Sequence, residues 1–187
     1  SRQANIAYGY SLQVTTLQLA VAYAAIANNG RLRPPTYIKG DINEDKAIID
    51  PTVAGKVSDM LKSVIRKENT GKKAIIDGYT VAGKTGTAQI AAKGGYSEKY
   101  IASFVGYAPA KNPRLVVAVS ITDPAGEEYG GGAVAAPIFK QVMQESLRIL
   151  NISPDDTQPQ LIIKDDNIEV TDITDVIEKF SEVYNED

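Results

Sequence analysis

Lys84-Thr85-Gly86-Thr87 sets an ammonium, two hydroxyls and a residue without a side chain in four consecutive positions, within the run Val81-Ala82-Gly83-Lys84-Thr85-Gly86-Thr87-Ala88. A positive charge beside a hydroxyl can hold a carboxylate or ease a proton transfer, and a neighbouring backbone N–H can stabilise a developing oxyanion. Lys84 supplies the charge, Thr85 the hydroxyl, and the Thr87 N–H is the candidate oxyanion donor. Gly86 would let a ligand backbone approach closely, as an added strand does at a sheet edge. Strand parity sets Lys84 and Thr85 on opposite faces, so both serve one ligand only where the strand borders a cleft. The plain alternative for Lys84 is a solvated strand lysine, the usual fate of a lone Lys.

Composition narrows the chemistry. The 187 residues, 43% of them hydrophobic, include no Cys and no His. That removes thiol nucleophiles, disulfides, thiolate or imidazole metal sites and a Ser-His-Asp arrangement, leaving Lys or a carboxylate to move protons. No Ser has a Lys three residues later, and no S-x-N occurs. Charge is uneven: residues 1–150 hold 18 Lys and Arg against 12 Asp and Glu, whereas residues 151–187 hold 2 against 11. We expect a division there, into a body over 1–150 and an acidic, solvated tail over 151–187, where Val176, Ile177, Phe180, Val183 and Tyr184 would line one face of a short helix.

Thr15 with Gln18 forms a capping-box pattern for a buried helix over 15–28, apolar nearly all round and ended by Asn29-Gly30. Polar residues such as Gln13, Gln18 and Asn28 interrupt this run, which argues against a membrane span. Residues 31–49 read as loop and short strand, with Pro34-Pro35 excluding helix. Asp50-Pro51 starts an amphipathic helix over 51–67, with Val53, Val57, Met60, Leu61, Val64 and Ile65 on its stripe. Strands are expected over 78–90, 100–108 and 114–122, separated by turns around Gly94-Gly95 and at Pro109-Ala110-Lys111-Asn112-Pro113, and their short connections favour an antiparallel meander. A Gly-rich loop over 123–136 then leads to a final helix over 137–150 that packs on this sheet.

The Lys84 motif resembles the third motif of penicillin-recognising serine enzymes, the K-T-G that accompanies S-x-x-K and S-D-N type motifs in penicillin-binding proteins and class A β-lactamases. The segment Tyr8-Gly9-Tyr10-Ser11-Leu12-Gln13-Val14-Thr15-Thr16-Leu17-Gln18-Leu19-Ala20, with Ala22-Tyr23-Ala24 and Asn29-Gly30, is similar to the one preceding K-T-G in class B penicillin-binding proteins, especially the septal type of Gram-negative bacteria. Lys99-Tyr100-Ile101-Ala102-Ser103-Phe104-Val105-Gly106-Tyr107-Ala108-Pro109 and Tyr129-Gly130-Gly131-Gly132-Ala133-Val134-Ala135-Ala136-Pro137 match later parts of that family in order. The resemblance covers roughly residues 5–150.

The resemblance implies the C-terminal part of a transpeptidase domain with an α/β fold of the α+β type, an antiparallel sheet flanked by helices that is incomplete in this chain. It implies a periplasmic D,D-transpeptidase anchored in the inner membrane. In such enzymes a serine attacks the penultimate D-Ala carbonyl of a stem peptide, D-Ala leaves, and an amine from a neighbouring stem peptide takes the acyl group. β-Lactams acylate the same serine. Lys84 and Thr87 would be catalytic, and Thr85, Gly86, Thr87 and Tyr129 would bind substrate, with no cofactor and no metal. Tyr129 would wall the cleft, or simply cover the sheet end. The implied partners are peptidoglycan stem peptides, β-lactam antibiotics, an upstream part of the same protein carrying S-x-x-K and S-x-N, and divisome proteins, with no nucleic acid. Nucleophile, second motif and anchor are expected upstream of Ser1, and the chain alone is expected to be inactive. Gln89 stands where relatives often carry a basic residue, and Gly130 where some carry an aromatic.

Residues 78–85 also satisfy the phosphate-loop pattern G-x-x-x-x-G-K-[ST], with residues 116–123 as a strand ending in a metal-binding Asp. Such a loop must open a helix, but Tyr79-Thr80-Val81 is β-prone and Gly86-Thr87 is a poor first helical turn. Further alternatives are a penicillin-recognising sensor or scaffold without turnover, a bifunctional class A enzyme, and a β-lactamase. Residues upstream of Ser1 would separate these.

Overall fold

The computed structural model describes residues 3, 12–92, 95–126 and 128–156. The chain divides into two units, Ser1–Asp155 and Asp156–Asp187, and all described helices and strands lie in the first. The loop at Ala7-Tyr8-Gly9-Tyr10 and the amphipathic stretch of the tail lie outside the described residues.

Helix α1 (Thr16–Ala27) begins with the expected capping box: Gln18 N–H donates to Thr15 Oγ1 at 3.1 Å and Thr15 N–H to Gln18 Oε1 at 2.9 Å. Its end is a left-handed turn at Asn29 and Gly30, whose N–H donates back to Ala25 O at 2.8 Å. A β-carbon on Gly30 would lie 2.2 Å from Ile49 O, so the chain can cross there only as glycine. Strands β1 (Arg31–Leu32) and β2 (Lys46–Ala47) pair antiparallel, joined by an ion pair from Arg31 Nε to Asp45 Oδ2 at 2.8 Å. That hydrogen bond holds the Asp45 carboxyl at about 2, well below the usual carboxylate range.

Helix α2 (Pro51–Ser63) is capped by Asp50, which accepts from Thr52 and Val53 N–H. It stops short of residue 67, because the chain folds back and neighbours take the last carbonyls. Asn69 Nδ2 donates to Ser63 O at 2.7 Å and Gly71 N–H to Val64 O at 3.2 Å.

Strands β3 (Ala82–Ala92), β4 (Gly95–Ala108) and β5 (Leu115–Thr122) form the expected antiparallel meander in the order β3-β4-β5. Residues 78–81 stay outside the strand: the chain turns at Asp77 and Gly78, with Gly78 at φ 79° and Tyr79 N–H donating to Ile76 O across an isolated antiparallel bridge. At the far end the β3–β4 ladder runs beyond residues 90 and 100, through a register shift between Gln89 and Ala91.

Helix α3 (Gly131–Ile149) starts well before Pro137, where a loop was expected. Proline lacks an N–H, which leaves the carbonyl four residues earlier without its helical partner. That carbonyl belongs to Ala133, and Lys73 Nζ donates to it at 3.4 Å.

The sheet is covered on both faces. On one, Phe104, Phe139, Met143 and Leu147 are fully buried, with Val117, Val119 and Ile121 of β5 against them. On the other, Leu61, Ala82, Tyr107 and Ala110 pack with Tyr23, Ile26 and Val57 from α1 and α2. The Tyr107 hydroxyl donates to Ser58 Oγ at 2.7 Å, and burial raises the pKa of Tyr107 and of Tyr23 above the ordinary tyrosine value. Only Ala25 of α1 is buried, contrary to the expectation for a helix apolar all round. The sheet, α2 and β1 contact it, and Leu17 on its first turn is 43% exposed. No helix among the described residues is long and apolar enough to cross a membrane.

Candidate active site

Strand β3 is an outer strand of its sheet, with β4 on one side. Pairing of Thr85 with Phe104 and of Thr87 with Ala102 puts these threonines on the α3 face; pairing of Lys84 with Val105 and of Gly86 with Ser103 puts those on the α1–α2 face. Lys84 nonetheless reaches its neighbour. Its Nζ donates to Thr85 O at 3.1 Å and to Thr85 Oγ1 at 3.2 Å. Thr85 Oγ1 in turn lies 3.4 Å from Thr70 Oγ1.

The first turn of α3 is seated directly on this strand. Gly131 N–H donates to Thr87 Oγ1 at 3.0 Å. A β-carbon on Gly131 would lie 2.2 Å from Ser103 O and 2.4 Å from Gly86 O; one on Gly132 would lie 2.4 Å from Thr70 O. The glycines that suggested a loop are therefore what lets a helix sit against backbone. A β-carbon on Gly86 would meet only the rotatable Ser103 hydroxyl, at 2.4 Å, with Ser103 Cβ at 3.8 Å.

Tyr129 stacks on Tyr100 of β4, ring centroids 4.2 Å apart and planes at 20°. Gln89 Nε2 donates to the Tyr100 hydroxyl at 3.4 Å. The loop before α3 is tied down by an ion pair between Lys99 and Asp123, by Asp123 N–H on Tyr100 O at 2.8 Å, and by Lys73 Nζ to Glu128 at 3.2 Å. Sequence reasoning did not single out Tyr100. Its period-two position on the face of Ala102 and Phe104 was a signal, but its partner depends on a loop returning from 29 residues away. On the α1 side an open groove of about 670 Å³ runs between Val14, Thr15 and Leu19 and the strand residues Ala88, Ile101 and Ser103.

The structure thus gathers Lys84, Thr85 and Thr87 at one outer strand, with Gly86 between them and Tyr129 beyond Thr87. Among the described residues no group of carboxylates could hold a metal. The phosphate-loop alternative fails on this geometry. Lys84 lies within a paired strand instead of opening a helix, and Asp123 is engaged by Lys99.

The family model for the penicillin-binding protein transpeptidase domain matches residues 1–144. The chain belongs to this transpeptidase family. Within it, the chain is 43% identical over 154 residues to a protein named probable peptidoglycan D,D-transpeptidase PenA of Neisseria flavescens, covering 81% of this chain and 38% of that one. It is 42% identical over 155 residues to the peptidoglycan D,D-transpeptidase FtsI of Escherichia coli K12, covering 82% of this chain and 26% of that one. The apo transpeptidase domain of Burkholderia pseudomallei penicillin-binding protein 3 superposes with a TM-score of 0.74 at 42% identity, covering 82% of this chain and 47% of that chain. The chain therefore spans less than half the length of each of these transpeptidase relatives.

Proposed function

We propose that this chain is the C-terminal portion, over residues 1–150, of a periplasmic, membrane-anchored D,D-transpeptidase acting in septal peptidoglycan synthesis, followed by an acidic tail over 151–187. A serine in another part of the same protein attacks the penultimate D-Ala carbonyl of a stem peptide, and β-lactams acylate that serine. Divisome proteins are the expected partners.

The observation that carries this reading is the clustering of the Lys84 ammonium and the Thr85 hydroxyl on an outer strand. A carbonyl reached by a side chain at the outer margin of an antiparallel strand points away from the ladder. Alternation by two then sends the Thr87 N–H the same way as Thr85 O. In this reading a ligand strand lies along β3, its carboxylate held by Thr85 Oγ1 with the Lys84 charge beside it, and its reacting carbonyl oxygen takes the Thr87 N–H as one oxyanion donor. Gly131 N–H on Thr87 Oγ1 fixes that residue before the ligand arrives. Tyr129, stacked on Tyr100, walls the ligand beyond Thr87.

Labelling of the complete protein with a fluorescent penicillin tests the proposal. Lys84→Ala should slow acylation by two orders of magnitude or more, the loss expected for a group acting directly in proton transfer or charge stabilisation. Acylation at the unsubstituted rate would remove Lys84 from the mechanism.

A further inference from the structure

We infer that Thr70 is a positioning residue for the Thr85 hydroxyl, an inference that rests on the function proposed above. Three hydrogen-bonding groups stand in a row: Lys84 Nζ, 3.2 Å from Thr85 Oγ1, which is 3.4 Å from Thr70 Oγ1. Lysine has only donors to give, so Thr85 Oγ1 accepts from it and spends its own hydrogen on Thr70. That arrangement directs the hydroxyl hydrogen toward Thr70 and away from any carboxylate. A threonine hydroxyl rotates, and the Thr70–Thr85 bond works in either direction. When a ligand carboxylate arrives, the pair reverses. Thr70 O–H donates to Thr85 Oγ1, and Thr85 O–H is released to the carboxylate while Lys84 supplies the charge. A hydroxyl that accepts one hydrogen bond becomes a better donor in the next.

Thr70 is held for this role by its backbone. Gly132 leaves room for the Thr70 carbonyl, since a β-carbon there would lie 2.4 Å from Thr70 O and 3.3 Å from Thr85 Cγ2. Asn69 Nδ2 to Ser63 O and Gly71 N–H to Val64 O brace the same turn on either side. Among the described residues the Thr70 hydroxyl bonds to Thr85 alone, so it is available to follow that residue.

The test is a double-substitution cycle in the complete protein, read as the second-order rate of acylation by a fluorescent penicillin. Thr70→Val keeps the shape and removes the hydroxyl. It should slow acylation roughly three- to tenfold, the effect of one hydrogen bond, and Thr70→Ser should restore the rate. In a Thr85→Val background, Thr70→Val should change nothing further, because its action passes through the missing hydroxyl. A purely structural role would slow both backgrounds alike. Equal losses in the two backgrounds, failure of Thr70→Ser to restore the rate, or an unchanged rate in Thr70→Val would each overturn the inference. Failure of the proposed function gives a different result: no labelling of the unsubstituted protein, which would overturn both.

Discussion

Gly131→Ala should destabilise the protein, although glycine to alanine in a helix ordinarily does the reverse. Alanine gains about 0.5–1 kcal/mol over glycine in helix interiors through lower backbone entropy in the unfolded chain. At Gly131 the new β-carbon would lie 2.2 Å from Ser103 O and 2.4 Å from Gly86 O, both backbone atoms of paired strands that cannot rotate away. Each gap must open by more than half an ångström, so α3 lifts from the sheet or β3 and β4 shift at Gly86 and Ser103. Overpacking of this kind costs roughly 1–3 kcal/mol, and rigid backbone on the receiving side puts it at the upper end. At about 2–4 °C per kcal/mol the melting temperature should fall by roughly 4–10 °C. Gly55→Ala is the control: Gly55 lies inside α2, and nothing stands within 4 Å of its β-carbon position, so the melting temperature should rise by about 1–4 °C. Thermal unfolding followed by circular dichroism measures both. A rise for Gly131→Ala similar to that for Gly55→Ala would refute the seating of α3 on the Lys84 strand.

Two further outcomes follow from packing and charge. Phe139→Ala empties a fully buried site against Phe104, 4.6 Å away between ring centroids; it should cost about 3–5 kcal/mol in denaturant unfolding, and a loss under 1 kcal/mol would contradict the core assignment. Asp45 has its folded-state pKa lowered to about 2 by the hydrogen bond from Arg31, so its contribution to stability is present above the ordinary carboxylate value and disappears as pH falls toward 2. In Arg31→Met the Asp45 carboxyl, followed by NMR, should titrate back toward the usual range, and an unmoved midpoint would show that Arg31 is not the cause.

Much of this architecture was legible in the residues because local chemistry and tertiary packing agree. Thr15 and Gln18 cap α1 as their spacing requires, Asp50-Pro51 opens α2, and the short connections between apolar runs produce the β3-β4-β5 meander. The disagreements arise where a distant contact decides. Gly130-Gly131-Gly132 reads as loop by itself, and only the backbone of β3 and β4 beneath it makes the first turn of α3 possible there. Pro137 reads as a helix start, yet Lys73, more than 60 residues earlier, takes up the carbonyl that the proline leaves. Val64 and Ile65 continue the helical stripe of α2, but Asn69 and Gly71 turn the chain. At the site, the roles proposed for Lys84, Thr85 and Thr87 follow from their residue types and order, whereas Thr70 and Tyr100 carry no local mark and reach their places through folding.

A crystal structure of the complete protein acylated by a β-lactam would fix where a ligand sits relative to β3. The ligand should lie along the outer side of β3, its carboxylate within hydrogen-bond distance of Thr85 Oγ1 and its carbonyl oxygen about 2.7–3.1 Å from the Thr87 N–H. An adduct whose carbonyl oxygen points away from Thr87, with Thr85 still bonded only to Lys84 and Thr70, would contradict that placement.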